Sequence, residues 1–525
     1  MQRLKVVLLI FVLLIFSLVR CSSTPLSLNN NENIGKKDIL NEDRVYGVSA
    51  SHPLAVEEGM KVLKQGGNAV DAAIVISYVL AVVEPSASGL GGGGGMLIVT
   101  QDGESNFIDY REIAPFHSNN KTNTIGIPGF VSGMESVHEK YGSIPMEKLL
   151  EPAIHYAENG FEVDNKLSSQ LTDAYPRIYS KKLSIFYPNG EPIDVGTTLV
   201  QTKLAKTLKN IQKQGTSAFY QGDIAKEINK ITNISLKDIK KYKVEERKPV
   251  VGEYHGYTVY TAPPPFSGVT LLQMLKQADF NTIYDNAKSL EEYIRLIGEI
   301  TKASYQDRKK NIGDPKFTKM KTEKWVSNQY LSTLIGEENE PLFEEEHEST
   351  THFVVMDKNG TVISVTNTLS DFFGTGDYTQ GFFLNNQLSN FSNTPNQIEP
   401  GKRSRTFMAP TVLEKKGREV IGIGSPGGNR IPQVLTIVLD RYFHSDSSLQ
   451  TIVDEPRFIF EKNNLYIEMP LASNEKKTLI EDGYNVIHKS SPMFYGGVQA
   501  LIRDEKENKI TGAGDERRNG TWKSN

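Results

Sequence analysis

The segment that most restricts how this chain can fold is an almost uninterrupted apolar run from Ala69 to Val83. Gly66-Gly67 ends an amphipathic helical pattern just before it, and Asn68 is a residue type that favours a helix N-terminus. The run is too short to cross a bilayer, which needs about 20 apolar residues. Because a helix that is apolar on nearly every side must be buried, the sequence predicts a central helix with other layers packed around it.

Composition indicates a large folded body and excludes some partners. The chain has 525 residues, of which 38% are hydrophobic and 23% are charged, as expected for a soluble protein with a sizeable core. Its formal net charge of −4 provides no broad basic surface, so nucleic acid is not an expected partner. The nine histidines show no His-x-x-x-His or His-x-His spacing, and we expect neither a metal site nor another cofactor.

The N-terminal residues have the pattern of an export signal followed by a tether. Basic residues precede an apolar run from Val6 to Phe16, which is typical of an export signal over residues 1–21. Residues 22–43 are polar without an apolar period, which indicates a flexible tether. We therefore expect an exported protein at the cell surface or in the cell envelope.

Cys21 is the only cysteine, so no intrachain disulfide can form. Its position just after the apolar run suggests a lipid-anchored cysteine. Arg20 argues against an anchor, because lipoprotein sites favour a small residue before the cysteine. The sequence leaves both interpretations open.

Five consecutive glycines, Gly91 to Gly95, precede the strand-like segment Met96 to Thr100. No Gly-Lys-Ser or Gly-Lys-Thr follows them, so a phosphate-binding loop is disfavoured. The better interpretation is backbone packed closely beside a core strand, where a Cβ atom would clash. A second strand-like segment leads into Arg111-Glu112, where Arg111 is either part of a surface ion pair or a ligand-binding residue.

A β-hairpin is predicted where the acidic run Phe343 to Glu348 gives way to β-branched and aromatic residues. Its two strands and turn are Thr350 to Asp357, Thr361 to Leu369 and Asp357 to Gly360. A three-residue loop pairs Thr350 with Thr368, whereas a two-residue loop pairs Thr351 with Thr368. In either register the Thr368 hydroxyl lies near the start of the first strand.

The start of this hairpin can supply a nucleophile. A threonine hydroxyl needs a base within hydrogen-bond reach, and a terminal α-amine with a pKa of about 7.7–8.0 can be that base. We therefore predict that the Thr350 hydroxyl attacks the Ser349 carbonyl and cuts the chain through an ester that water opens. The competing interpretation is that these threonines only favour a strand, and His352 is expected to be packed or hydrogen-bonded rather than catalytic.

A second candidate element is the turn from Gly424 to Arg430, which follows the strand-like Glu419 to Ile423 and precedes a helix from about Pro432 to Leu439. Gly427 and Gly428 at such a turn can direct backbone N–H groups at an oxyanion. The alternative is an ordinary turn.

Motifs of one enzyme family occur in order along the chain. They are residues 52–55, 65–73, 89–96, 110–115, 263–268, 350–352, 366–369, 373–376, 384–387 and 424–431. Together they resemble the γ-glutamyltransferases, N-terminal-nucleophile enzymes that arise by self-cleavage of one precursor. The resemblance implies an α+β fold with four αββα layers, a large subunit over residues 44–349 and a small catalytic subunit over residues 350–525. The two subunits are expected to stay associated after the cut.

The resemblance also implies roles for individual residues. Thr350 is expected to be the nucleophile, with its own α-amine as base and Thr368 in support. Gly427 and Gly428 are expected to form the oxyanion hole. The residues expected to bind the donor are Arg111, which would hold the α-carboxylate of the γ-glutamyl group, together with Gln387, Asn390, Thr406 and Arg518.

Several positions depart from the family pattern. Asn390 stands where an aspartate usually holds the donor's free α-ammonium, Thr406-Phe407 replaces a usual pair of serines, and Ser370 replaces an asparagine or glutamate. The loop from Phe391 to Lys402 is short where many relatives carry a lid. An ammonium in a cleft needs a compensating charge, but an amide N–H does not. The pattern therefore favours donors whose α-nitrogen is acylated, as in internal residues of poly-γ-glutamate.

These departures resemble the branch of the family that processes poly-γ-glutamate capsules. Its members cut the polymer and transfer the acyl fragment to a cell-wall amine or to water. Candidate contacts to the polyanion are Arg403, Arg405, Arg517 and Arg518, with solvated surface charge as the alternative for each. The competing functions are an exported glutathione hydrolase acting on small γ-glutamyl compounds, a side-chain amide acylase and a non-enzymatic surface-binding protein.

Overall fold

The computed structural model describes residues 44–117, 124–178, 183–334 and 349–525. The predicted export signal, the tether, Cys21 and the acidic run before the cleavage site lie outside these ranges. Val45–Asn525 forms one compact unit. Within the described ranges, no helix is both long and apolar enough to cross a bilayer.

Helices occupy much of the chain before residue 335 and a smaller part after residue 349. The α-helices are Pro53–Lys64, Ala69–Val83, Phe130–Tyr141, Met146–Asn159, Asn165–Ile178, Thr202–Gln214, Thr216–Tyr220, Asp223–Thr232, Leu236–Lys240, Gly268–Phe280, Ile283–Asn286, Leu290–Asn311, Thr322–Trp325, Asn328–Leu331, Ile431–His444, Leu449–Asp454 and Ser473–Glu481. Short 3₁₀ turns are Pro188–Gly190, Gln387–Asn390, Gly428–Arg430, Pro492–Tyr495 and Glu516–Arg518.

The central helix predicted from the apolar run is present as Ala69–Val83, and every residue in it is buried. The Asn68 side chain accepts hydrogen bonds from the N–H groups of Val70 and Asp71, at 2.8 and 3.0 Å. The Asp71 carboxylate accepts the Asn68 N–H in return, at 2.9 Å. This reciprocal capping fixes where the helix begins.

Two large sheets and three small ones contain all the named strands. The strands are β1 (Gly47–Ala50), β2 (Gly93–Val99), β3 (Ser105–Asp109), β4 (Phe161–Glu162), β5 (Thr198–Leu199), β6 (Glu245–Arg247), β7 (Val250–Tyr254), β8 (Tyr257–Thr261), β9 (Ser349–Met356), β10 (Val362–Ser370), β11 (Tyr378–Thr379), β12 (Phe382–Phe383), β13 (Thr411–Lys415), β14 (Glu419–Gly424), β15 (Phe458–Glu461), β16 (Asn464–Ile467), β17 (Asn485–His488), β18 (Gln499–Asp504), β19 (Lys509–Gly514) and β20 (Thr521–Ser524). The first large sheet has the order β20-β1-β9-β10-β2-β3-β6, and the second has the order β19-β18-β14-β13-β8-β7.

The two large sheets pack face to face. Side chains alternate between the faces of a strand, so β9 contributes to two different cores. Val354 and Met356 lie in a core shared with the second sheet, and a Cβ atom on Gly422 of β14 would be 2.6 Å from the Val354 side chain. Phe353 and Val355 lie in the core on the opposite face of the first sheet.

Helices cover the outer face of each sheet. Pro53–Lys64 and Ala69–Val83 share the core behind the first sheet. Residues of Gly268–Phe280 and Ile431–His444 pack with the strands of the second sheet. The layer order is therefore helix, sheet, sheet, helix, as the resemblance implied.

The β9–β10 hairpin has the register of the three-residue loop, with Thr350 paired to Thr368. Gly360 has a φ of +89°, the left-handed conformation that this turn requires. The carboxylate of Asp357 at the hairpin tip accepts the Ala69 N–H at 2.9 Å. The hairpin and the central helix are thus tied together at one end.

The glycine run packs as tightly as predicted. A Cβ atom on Gly92 would lie 2.2 Å from the Thr368 carbonyl oxygen. A Cβ atom on Gly93 would lie 2.5 Å from the Tyr110 carbonyl oxygen. The absence of side chains therefore lets the start of β2 approach both the hairpin and the segment that carries Arg111.

The order of strands in the first sheet differs from their order in the chain. β1 precedes the predicted cleavage site but lies between β9 and β20, which both follow it. In the second sheet, β8 precedes the site and pairs with β13, which follows it. Both sheets are thus built from the two predicted subunits.

Candidate active site

The predicted cleavage site lies at the start of β9, where Ser349 and Thr350 are buried. The Thr368 hydroxyl donates to the Ser349 carbonyl oxygen at 2.5 Å and accepts the Ser370 N–H at 2.9 Å. A bulge between Thr368 and Ser370, where Ser370 has a φ of +79°, makes this second contact possible. The carbonyl that would gain negative charge in the predicted self-cleavage therefore already has a fixed donor.

Ser349 is held on its other side as well. Its hydroxyl donates to the Ser86 carbonyl oxygen at 2.5 Å. The same carbonyl accepts the Phe373 N–H at 2.8 Å. The residue before the predicted cut is therefore fixed by both its carbonyl and its side chain.

His352 lies two residues after Thr350, on the same face of β9. Its Nδ1 lies 2.8 Å from the Thr366 hydroxyl, and burial lowers the pKa of the imidazole to about 3. A Cβ atom on Gly424 would fall 2.2 Å from the His352 ring, so the ring packs directly on the end of β14. The prediction of a packed, hydrogen-bonded histidine is confirmed.

The contact between His352 and Gly424 brings the end of β14, from which the glycine turn continues, to the end of the hairpin that carries Thr350. The chain passes from Gly424, the last residue of β14, through Ser425 and Pro426 into the turn. Gly427 and Gly428 have φ values of +133° and +58°, which favour glycine, and the helix Ile431–His444 begins just beyond. Backbone N–H groups at such a turn favour an anion.

Arg111 and Gln387 meet at one residue, Ser404. Arg111 is completely buried; its guanidinium donates to the Ser404 carbonyl oxygen at 2.5 Å and to the Ser404 hydroxyl at 3.1 Å. The Gln387 side-chain amide donates to the same hydroxyl at 3.0 Å. The structure therefore brings two of the predicted donor-binding residues together and excludes the surface interpretation of Arg111.

The backbone at Arg111 is held by a buried carboxylate. The Arg111 N–H donates to Asp109 Oδ1 at 3.1 Å. Arg247 and Arg403 form ion pairs with the same carboxylate at 3.0 and 3.2 Å. Burial opposes ionisation of Asp109, but these guanidinium groups outweigh it and lower the pKa of the carboxyl.

Glu112 is the other charged residue beside Arg111. It is buried, and neither carboxyl oxygen has a hydrogen-bond partner among the residues that the structure describes. Burial raises its pKa to about 7, although the positive charge of Arg111 opposes the shift. A Cβ atom on Gly93 would lie 3.1 Å from the Glu112 carboxyl carbon, and Gly93 is the strand partner of Thr368.

Asn390 ends the 3₁₀ turn Gln387–Asn390, so it lies one turn away from Gln387. The Asn396 side chain donates to the Asn390 carbonyl at 2.7 Å and accepts the Arg405 N–H at 2.7 Å. The short loop from Phe391 to Lys402 is therefore anchored next to the donor-binding residues.

Thr406 is buried in an irregular segment. Its hydroxyl accepts the Met408 N–H at 3.3 Å, and its own N–H donates to the Pro265 carbonyl at 3.0 Å. Next to it, the Phe407 ring lies 3.5 Å from the Arg308 guanidinium carbon. Donor binding by Thr406 stays a prediction, and the hydroxyl that contacts Arg111 belongs to Ser404, two residues earlier.

The four arginines suggested as polyanion contacts all have partners within the protein. Arg403 pairs with Asp109, Arg405 donates to helix-terminal carbonyls including that of Lys309, and Arg517 pairs with Glu468. Arg518, which is 1% exposed, donates to the Met493 carbonyl at 2.9 Å. These contacts exclude the interpretation of a solvated surface charge, because each guanidinium holds a loop or helix end in place. Contact with a polyanion stays a prediction for these side chains, as does donor binding by Arg518.

Sequence reasoning missed Ser404, which joins Arg111 to Gln387. It lies in an irregular segment between two arginines, with no periodic pattern to mark it. Only the tertiary contact reveals it.

The chain is similar to known proteins along nearly its whole length. A family model described as gamma-glutamyltranspeptidase matches residues 55–524. The chain is 63% identical over 491 residues to the capsule biosynthesis protein CapD proenzyme of Bacillus anthracis, covering 93% of each chain. It is 35% identical to the glutathione hydrolase proenzyme of Bacillus subtilis strain 168, covering 90% of each.

A solved structure supports the fold. The crystal structure of cephalosporin acylase from Bacillus halodurans superposes with a TM-score of 0.82, covering 91% of this chain and 96% of that one. At 24% identity this likeness concerns the fold alone. Together with the family match, it supports the four-layer αββα fold of N-terminal-nucleophile hydrolases that the resemblance implied.

Proposed function

This chain belongs to the gamma-glutamyltranspeptidase family, and from that premise we propose that it is a self-processing enzyme that cleaves capsular poly-γ-glutamate. The enzyme transfers the released γ-glutamyl fragment to a cell-wall amine or to water. One contact supports this proposal most directly: the Thr368 hydroxyl lies 2.5 Å from the carbonyl oxygen of Ser349, at the bond whose cleavage frees Thr350.

Maturation begins when the Thr350 hydroxyl oxygen adds to the Ser349 carbonyl carbon. The Thr368 hydroxyl stabilises the oxyanion that develops. The bond from the Ser349 carbonyl carbon to the Thr350 nitrogen then breaks, and the hydroxyl proton passes to that nitrogen, leaving an ester. Water hydrolyses the ester and releases the Ser349 carboxylate and a Thr350 with a free amine and hydroxyl.

Turnover uses the freed amine as the base. It takes the proton of the Thr350 hydroxyl as the oxygen attacks the γ-carbonyl carbon of the donor. The N–H groups of Gly427 and Gly428 stabilise the tetrahedral oxyanion. The ammonium then returns the proton to the departing nitrogen, and an acceptor amine or water resolves the acyl-enzyme with the same base.

The donor-binding residues favour a polymer. Arg111, with Gln387 beside it at Ser404, provides a cation for the α-carboxylate that every internal residue of poly-γ-glutamate keeps. Asn390 supplies no negative charge for a free α-ammonium, and an internal residue has an amide nitrogen there instead. The relative that is 63% identical is named as a capsule biosynthesis protein, which agrees with this substrate.

We also propose that the enzyme works outside the cell. The export signal over residues 1–21 would carry it there, and Cys21 could bear a lipid anchor. Both features lie outside the described residues. The capsule and the acceptor amine would then be on the same side of the membrane as the enzyme.

Denaturing electrophoresis and N-terminal sequencing test self-processing. Purified wild-type protein is expected to give two fragments, and the smaller one should begin at Thr350. Thr350→Ala should remain a single chain because it lacks the attacking hydroxyl. A wild-type protein that stays uncut would contradict the proposal.

Product analysis by mass spectrometry tests the donor. Defined poly-γ-glutamate should be shortened quickly and glutathione turned over poorly. A glutathione hydrolase, which is the competing function, should show the opposite ranking.

Asn390→Asp introduces a carboxylate at this position and is expected to improve the use of free-amine donors by roughly tenfold, the effect of one charge-assisted hydrogen bond. An unchanged ranking in this variant would mean that Asn390 does not select the donor.

A further inference from the structure

A buried ion pair lies behind the nucleophile strand, on the face opposite Thr350. Lys166 Nζ contacts Glu84 Oε1, and the two side chains are 8% and 2% exposed. Glu84 follows the central helix Ala69–Val83, and Lys166 lies in the first turn of the helix Asn165–Ile178. Burying two charged side chains costs more free energy than burying apolar side chains of similar size. The fold alone therefore does not explain why this ion pair is present.

The ion pair reaches the residue after the nucleophile through one serine. The Ser51 hydroxyl donates to Glu84 Oε2 at 2.9 Å and lies 2.5 Å from the Thr351 hydroxyl. A carboxylate paired with lysine only accepts hydrogen bonds, so the single Ser51 proton goes to Glu84. Thr351 must therefore donate to Ser51, so the hydrogen bonds run from Thr351 through Ser51 to Glu84.

Lys166 binds two further segments. Its ammonium donates to the carbonyl oxygens of Ser51, at 3.3 Å, and Arg518, at 3.0 Å. Ser51, Glu84 and Lys166 all precede the predicted cut, whereas Thr351 and Arg518 follow it. After cleavage, these contacts would join the large subunit to two separate segments of the small one.

A freshly cut strand needs such a contact. The first residues of a chain fray unless they are tied down, and Thr350 becomes the first residue. Side chains alternate along a strand, so Thr351 can be held from the helical side while Thr350 remains available on the other face. Even a small displacement of the reacting atoms lowers the reaction rate strongly.

We propose that Ser51, Glu84 and Lys166 form an intersubunit clamp that holds the Thr351 hydroxyl and thereby positions the Thr350 amine and hydroxyl for turnover. The clamp residues are positioning residues that act through Thr351. This inference rests on the proposed role of Thr350 as nucleophile.

Thr351→Val tests the clamp because it keeps the branched shape and removes only the hydroxyl. With rates expressed per mole of cleaved enzyme, we expect kcat to fall roughly tenfold to a hundredfold while KM for the γ-glutamyl donor is unchanged. Hydrogen exchange in the peptide 350–356 should also become faster. Thr351→Ser restores the hydroxyl and should recover most of the lost kcat.

Two other variants complete the test. Ser51→Ala removes the acceptor and should lower kcat as Thr351→Val does, which keeps the test informative if Thr351→Val fails to fold. Thr301→Val is the matched control, because it deletes an equally buried hydroxyl that donates to the Ile297 carbonyl within another helix, and it should leave kcat unchanged. Glu84→Gln is unsuitable because it leaves the Lys166 charge buried without its partner.

Three results would overturn the clamp. The first is that Thr351→Val has the kcat and the hydrogen exchange of the wild type, and the second is that Thr351→Val and Thr351→Ser lose kcat equally. The third is that Thr351→Val folds but is never cut, which would assign Thr351 to maturation. An uncut, inactive wild type would instead refute the proposed function. The two failures are therefore distinguishable.

Discussion

At the scale of single residues, the proposed donor site places two groups of opposite charge next to each other. Arg111 is proposed to hold a carboxylate, yet Glu112 next to it is also an acid and is buried without a hydrogen-bond partner among the described residues. Burial raises the pKa of Glu112 to about 7. Below that pH the carboxyl is neutral and does not compete with a donor carboxylate for Arg111.

The affinity for an anionic donor should therefore depend on pH through Glu112. Above about pH 7 Glu112 ionises and repels the donor carboxylate, so KM should rise as the pH increases from 6 to 8. If binding the donor shifts the pKa of Glu112 by about one unit, KM changes about tenfold. Glu112→Gln removes the titration, and steady-state kinetics over this range should then give a flat KM. The same slope in the variant would exclude Glu112 as its origin.

Individual site residues differed in how far the sequence could predict them. Thr368 followed from local information, because the turn Asp357 to Gly360 restricts the register that pairs it with Thr350. Ser404 could not be predicted, because its role depends on a contact 293 residues away in the chain, with Arg111. The surface interpretation of Arg405 was wrong for the same reason, since helix-terminal carbonyls distant in sequence surround it.

At the scale of elements, the glycine-rich start of β2 determines how closely the donor site can approach the nucleophile. β2 pairs with β10 on one side and β3 on the other, and β3 runs into the segment that carries Arg111. The strand itself was predictable from its composition. Its partners were not, because they come from both sides of the predicted cleavage site.

Gly93→Ala tests this close approach. The new Cβ would lie 2.5 Å from the Tyr110 carbonyl oxygen and 2.9 Å from the Arg111 Cα, both backbone atoms that cannot rotate away. We expect a loss of about 1–3 kcal/mol in the free energy of unfolding and a higher donor KM, because the backbone at Arg111 must move. Denaturant unfolding and kinetics measure both effects.

Gly89→Ala is the control for Gly93→Ala, since a Cβ atom there has no heavy atom within 4 Å. It should unfold close to the wild type. Equal stability of the two variants would contradict the close-packing explanation.

At the scale of the whole molecule, the two predicted subunits share both sheets. β1 of the large subunit has hydrogen-bonded neighbours from the small subunit on both sides, β9 and β20. The layer order was predictable from family resemblance, but this interleaving depends on long-range pairing that no local pattern encodes.

The cut enzyme should therefore behave as one particle. Native size-exclusion chromatography is expected to give a single peak that contains both fragments, and only a denaturant should separate them, because separation would break three β-ladders in the first sheet, β1–β20, β1–β9 and β2–β10. A denatured sample is the control. Free fragments under native conditions would contradict this expectation.

The position of β1 between two strands of the other subunit also makes maturation a one-way process. The precursor folds with both halves tethered, but a cut molecule that unfolds has lost that tether and must find its partner by diffusion. Its working life is then governed by kinetic stability, the rate at which the intact assembly first opens, rather than by an equilibrium between folded and unfolded chains. Substitutions that slow unfolding should extend the half-life of the mature enzyme even where they leave precursor folding unchanged.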